Sequence, residues 1–120
     1  MSQALSTKIY ADSYALTLTI FQRTKAIPKA HRPTIGRGLE ESSLSLLFEV
    51  RSAGVAHAIE QKKQSCLGAS NALDRLRIYA QVSKDLGFFS DGTYFEISEK
   101  TGEVGRQLGG WLKSMGKLKG

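Results

Sequence analysis

Apolar residues recur along this chain at steps of three, four and seven, the period of a helix face, in four separate stretches. No stretch alternates apolar and polar residues with the β-branched enrichment of a strand. The pattern predicts an all-α chain of four helices. The first is expected over about residues 8–25, with Ile9, Leu16, Ile20 and Phe21 turned inward. It should stop before Pro28, which disfavours helical geometry at Ile27. The second and longest is expected over about 34–62, with Ile35, Leu39, Leu46, Val50, Ala53 and His57 on one stripe. Pro33 suits its first turn, where a missing N–H is no loss, and Glu40 and Glu41 lie near the positive end of its dipole.

Gln61 to Ser65 is polar and reads as a turn. The third helix follows over about 66–87, with Ala69, Ala72, Leu73, Leu76, Tyr79, Ala80, Ser83 and Leu86 as its stripe and Gly87 as its C-terminal cap. Ser90 or Asp91 can cap the fourth, over about 91–112, whose inner positions are Tyr94, Ile97, Thr101, Val104, Leu108, Trp111 and Leu112. Residues 115–120 read as a frayed basic tail. Four helices on short connections pack most simply as an antiparallel up-down bundle in a single domain. Gly36, Gly38, Gly54, Gly102, Gly105, Gly109 and Gly110 fall inside helices two and four. Each costs up to about 1 kcal/mol against alanine, so close approach of another backbone is the expected reason, with fraying near Gly109 and Gly110 as the alternative.

Composition sharpens this picture. At 120 residues, 41% hydrophobic and 23% charged, the chain has the makings of one self-sufficient core, which excludes wholesale disorder and a fibrous repeat. A single cysteine, Cys66, excludes an internal disulfide and fits a reducing compartment. The first residues carry no secretory apolar core, and no apolar run approaches the roughly 20 residues that span a bilayer. A soluble, cytoplasmic protein without membrane attachment is expected.

Candidate chemistry is sparse. His31 and His57 have no carboxylate or cysteine at metal-ligating spacing, and His57, on the apolar stripe, reads as a hydrogen-bonded packing residue. Cys66 has Lys62 and Lys63 nearby to lower its pKa but no placed histidine to make it a nucleophile. Gly102 to Gly110 lacks the preceding strand and the Lys-Ser or Lys-Thr pair of a phosphate-binding loop. The paired acids, Glu40 with Glu41 and Glu96 with Glu99 and Glu103, read as solvated helix faces. No acid–base pair can be named, so neither an enzyme nor a metal or other cofactor is expected.

The distribution of positive charge is the stronger signal. Seventeen Lys and Arg against eleven Asp and Glu give +6, a balance that attracts polyanions. Arg23, Lys25, Lys29, Arg32 and Arg37 follow one another with His31 and no acid between them. Arg106, Lys113, Lys117 and Lys119 repeat the bias after Glu103. Arg75 and Arg77 flank the third stripe, where each can contact phosphate or pair with Asp74 or a neighbouring helix. Tyr10, Tyr14, Phe88, Phe89 and Trp111 could stack on bases, though a bundle this small needs most of its aromatics in the core. The two clusters should lie at different ends or edges of one bundle, so an oligomer is needed to unite them. Solvated loops that only keep a protein-interaction bundle soluble are the competing account.

Two segments also carry a family resemblance. Ile27-Pro28-Lys29-Ala30-His31-Arg32-Pro33-Thr34-Ile35-Gly36-Arg37 before an apolar helix, and Glu103-Val104-Gly105-Arg106-Gln107-Leu108-Gly109-Gly110-Trp111-Leu112 near the end, resemble the bacterial four-helix-bundle family. That family includes the accessory variability determinant (Avd) of diversity-generating retroelements and the proteins encoded in intervening sequences of large-subunit ribosomal RNA genes. The Gly-Arg-x-Leu-Gly-Gly-Trp ending looks closer to the retroelement branch. The resemblance implies a homopentameric barrel of bundles that binds the element's reverse transcriptase and its template RNA or DNA, with mutagenic cDNA synthesis done by that polymerase. Pro28, Gly36, Gly105, Arg106 and Trp111 match the motifs by position, in roles as structural as functional. The candidate contacts are therefore those read from charge: Arg23, Lys25, Lys29, Arg32, Arg37, Arg75, Arg77, Arg106 and Lys113.

Overall fold

Ile9, Leu16 and Ile20 on the first stripe and Ile97, Val104, Leu108 and Trp111 on the last are all at most 2% exposed, so the helical period does place one continuous core. A computed structural model describes residues 3–119, with side chains for 7–116. Its elements are α1 (Gln3–Arg23), α2 (Arg37–Val55), α3 (Ile59–Asp85) and α4 (Asp91–Lys119), with no strand among the described residues. Two short 3-10 turns, Thr24–Ala26 and Lys29–His31, and a π-helical turn, Arg32–Gly36, join α1 to α2. As expected before a proline, Ile27 is extended (ψ 128°).

Each helix packs on the next, and α1 closes against α4. Cross-helix contacts fix the register. The α1–α2 pair is set by Arg51 over Tyr10, by Thr17 Oγ1 donating to the Ser43 carbonyl, and by Thr24 Oγ1 donating to Glu40 at 2.7 Å. Gly38 lies against Tyr79, and Gly68 against Glu49, between α2 and α3. Arg77 reaches the Thr101 carbonyl between α3 and α4. Gln107 donates to Asp12, and Arg23 to Glu96, between α4 and α1. All four pairs run antiparallel, giving an up-down bundle of 48 × 23 × 21 Å.

The first helix begins at Gln3, five residues before the expected start near Lys8, and the helix boundaries depart from the sequence pattern in three further places. The second helix stops at Val55, and α3 begins at Ile59, so Gln61–Ser65 is helix and the turn is Ala56–Ala58. Gly54, the last residue but one of α2, is the one local sign of this break. Lys62 Nζ caps α2 from the next helix by donating to the Ala53 carbonyl at 3.1 Å. His57 falls in that connection and is exposed, not a packing residue on the stripe. The fourth helix does not end near Leu112 but continues through Gly109 and Gly110 to Lys119. Met115, at 1% exposure, belongs to the core, while the rest of the expected tail lies outside the described side chains beyond Gly116. Phe21 and Leu86 are exposed where the stripes put them inside.

The caps follow the sequence. Gly87 (φ +81°) ends α3 with Phe88 N–H donating to Ser83 O and Gly87 N–H to Lys84 O, a Schellman arrangement. Of the two capping candidates for α4 it is Ser90 whose Oγ accepts from Thr93 N–H, at 3.1 Å.

Candidate nucleic-acid and partner surface

All nine basic candidates are exposed, but they are not equally available. Arg23 is held by Glu96 at 2.9 Å, Arg37 by Glu41 at 3.1 Å and Arg106 by Glu103 at 2.7 Å. Arg77 lies across Gly105, where a Cβ would sit 2.7 Å from its Nη2, and divides its donors between Asp74 and the Thr101 carbonyl. The glycine of the terminal motif thus serves a close approach by a guanidinium within the chain. Arg32 donates to the carbonyls of Ile27 and Lys25 and so braces the connection. Exposed ion pairs of this kind contribute little, roughly 0–1 kcal/mol each, and can be exchanged for phosphate.

Lys25, Lys29, Arg75 and Lys113 have no ion pair among the described residues. Lys25 and Arg32 line one hollow of about 390 Å³ together with Phe21, Thr24, Gly36 and Glu40. Stacking of His31 on Phe88, centroids 5.0 Å apart, docks the basic connection against the α3–α4 turn. The Arg23–Arg37 cluster therefore sits at one end of the bundle. The antiparallel course of α4 carries Arg106 and Lys113 towards the other end, so one chain keeps the two clusters apart. The side chains of Lys117 and Lys119 lie outside the described residues. Arg75 and Arg77 lie midway along α3, Arg75 turned towards α2 and Arg77 towards α4.

Among the aromatics, Trp111 and Phe89 are buried and Phe88 is half-buried against His31. Tyr10 and Tyr14 are exposed, 6.2 Å apart, with the Arg51 guanidinium 6.0 Å from the Tyr10 ring centre. Sequence reasoning passed over Arg51, and also Phe48 and Phe95, which are 66% and 65% exposed. Their position half a turn away from the inner stripe was the available signal.

Burial pushes the Cys66 thiol up to about 11, and the opposing pull of Lys62 is too weak to reverse it. The expected activating effect of the neighbouring lysines is thus overturned by burial. No group of three or more His, Cys, Asp or Glu among the described residues could hold a metal ion. No helix among them is long and apolar enough to cross a membrane.

The bAvd-like family model matches residues 5–115. The chain belongs to the bAvd-like family. No curated protein sequence matches it. Among solved structures it is similar to a protein of unknown function from the S23 ribosomal protein family of Bacteroides thetaiotaomicron. The two superpose with a TM-score of 0.84 at 13% identity, over 91% of this chain and 98% of that one. At that identity the likeness shows the shared four-helix fold and nothing finer.

Proposed function

We propose that this bAvd-like bundle is a non-catalytic accessory subunit that assembles as a homopentamer in the cytoplasm. In this reading it binds a retroelement reverse transcriptase together with its template RNA or cDNA. The observation that carries the nucleic-acid part is the basic connection Arg23–Arg37, which holds Lys25 and Lys29 exposed and without ion pairs among the described residues, at one end of a +6 chain. In a symmetric assembly those lysines recur once per copy and form a basic rim. Recognition through the phosphate backbone suits lysine chemistry, since an ammonium is a compact point charge on a flexible stem without the rigid donor fork of a guanidinium.

Fluorescence anisotropy with labelled RNA tests this. Binding should be strong at about 50 mM salt and fall steeply towards 200 mM as counterions are released. The double substitution Lys25→Glu, Lys29→Glu should weaken binding at least tenfold with the helical circular dichroism unchanged. It is a cleaner probe than changing Arg32 and Arg37, because Arg32 also braces the connection. No binding by the unaltered protein at low salt would end the nucleic-acid reading. The polymerase partnership is read separately: the reading expects a reverse transcriptase reading frame beside the gene, and its product should co-purify with this chain.

A further inference from the structure

Beside the basic connection lies a hollow in which cations, an aromatic ring and a carboxylate meet. Its volume of about 390 Å³ falls within the roughly 300–1,000 Å³ of small-molecule sites. Phe21, 38% exposed, gives it an apolar wall near the end of α1. Lys25 comes from the 3-10 turn Thr24–Ala26, Arg32 from the π-helical turn Arg32–Gly36, and Glu40 from the first turn of α2. π-helical turns are rare and concentrate at functional sites, and this one carries both Arg32 and Gly36 of the lining.

The carboxylate is the member that a basic surface does not call for. Glu40 is half-buried, and its Oε2 accepts from the buried Thr24 hydroxyl at 2.7 Å, which fixes its position. Its Oε1 has no hydrogen bond, and the carboxylate makes no ion pair with Lys25 or Arg32, among the described residues. Arg32 is pinned through Nε and Nη2 to the carbonyls of Ile27 and Lys25, which leaves its Nη1 donors unused there. A phosphate alone does not account for this set, because Glu40 repels it. A nucleotide does: its phosphate suits Lys25 and Arg32, its base can stack on Phe21, and N–H groups on the base edge suit a fixed carboxylate.

Guanine is the best match among the RNA bases. Its N1–H and N2–H lie side by side and can donate together to one carboxylate, whereas adenine, cytosine and uracil each offer a single donor group on that edge. Lys29, four residues beyond Lys25, is exposed and has no ion pair among the described residues, so it is placed for the phosphate of a neighbouring nucleotide. A strand fits this better than a free nucleotide. We propose that the hollow binds one unstacked guanine of a single-stranded RNA, with its base on Phe21, its N1–H and N2–H on Glu40, and its phosphate at Lys25 and Arg32. This rests on the nucleic-acid reading above and adds to it a preference for one base.

Fluorescence anisotropy between about 50 and 200 mM salt tests the base site separately from backbone binding. The probes are labelled uridine strands of about ten nucleotides, either unbroken, with one central guanine, or with inosine in its place, which lacks the N2 amino group. The guanine strand should bind about tenfold more tightly than the all-uridine strand, and the inosine strand should lose most of that gain. Glu40→Gln keeps an oxygen for the Thr24 hydroxyl but not the paired acceptors, so it should bring the guanine and all-uridine strands to within about twofold of each other. Phe21→Ala should weaken the guanine strand at least about fivefold through lost stacking, with the circular dichroism unchanged. The inosine strand reads the same contact in the unaltered protein, whatever the variants do to the fold. Equal affinity for the guanine and all-uridine strands, no loss with inosine, or an advantage that survives Glu40→Gln would overturn the base site while leaving backbone binding standing. Guanosine monophosphate competing as strongly as the guanine strand would make a free nucleotide the occupant and overturn the strand assignment. Binding to none of the strands at about 50 mM salt would overturn the nucleic-acid reading itself.

Discussion

Along the seam between α1 and α4, charged and amide side chains bridge the helices: Lys8 reaches both Asp12 and Glu103, Gln107 reaches Asp12, and Arg23 reaches Glu96. Along the seam between α2 and α3 the fit is one of shape. A Cβ on Gly38 would fall inside the Tyr79 ring, whereas one on Gly68 would meet only the far end of the flexible Glu49 side chain, which can swing aside. The first seam is adjustable, because ion pairs at the surface exchange partners with water, salt or a phosphate at little cost. The second is fixed, because filled space admits no extra methyl group without moving its neighbours. Arg23 and Arg106 are consequently employed within the fold, whereas Arg75, beside the tightly fitted seam, has no ion pair among the described residues.

The sharpest way to break this contrast is Gly38→Ala. The new methyl must displace the half-buried Tyr79 ring, so we expect a loss of about 1–3 kcal/mol in urea unfolding, despite alanine being the better helix former. A second change, Tyr79→Leu, should recover part of that loss, as expected of neighbours that share one space. A Gly38→Ala protein within about 0.5 kcal/mol of the original would show that the seam is not sterically set.

That glycine also shows where the sequence was legible and where it was not. The stripes of Leu39, Leu46 and Val50, and of Ile97, Val104 and Leu108, are properties of a helical period and can be read locally, so the four-helix bundle could be anticipated. The end of α2 was missed because Gly54 reads equally as an interior glycine, Ala56, His57 and Ala58 carry no stop signal of their own, and the cap comes from Lys62 across the turn. The same holds for the basic candidates. Charge along the chain marked all nine, but only tertiary partners such as Glu96, Thr101 O and Ile27 O separate the occupied guanidiniums from free Lys25 and Lys29.

A smaller effect is expected from the polar seam. In a double-mutant cycle on Arg23→Ala and Glu96→Ala, the coupling should be about 0.2–1 kcal/mol and should shrink in high salt, since both side chains are more than a third exposed. A coupling above about 2 kcal/mol would mean that this seam is as rigidly set as the other, and would remove the distinction.

The smallest expected effect lies in acid, at the other end of the same seam. The Lys8 ammonium beside Asp12 holds that carboxyl below its ordinary value, and Arg106 and then Lys8 do the same for Glu103. In the unfolded chain both groups return to the ordinary carboxylate range. Folding therefore favours their charged forms, and the stability they contribute is complete above that range and is lost as the pH falls through their lowered folded values. The melting temperature should consequently be nearly level from pH 7 to about 5 and decline below about 4. Asp12→Asn, which removes the carboxylate shared by Lys8 and Gln107, should melt slightly lower than the unaltered protein at pH 7 and converge with it in acid, so that its decline is shallower. An identical acid profile in Asp12→Asn and the unaltered protein would place the acid sensitivity elsewhere in the bundle and leave the Lys8–Asp12–Glu103 seam without a measurable part in it.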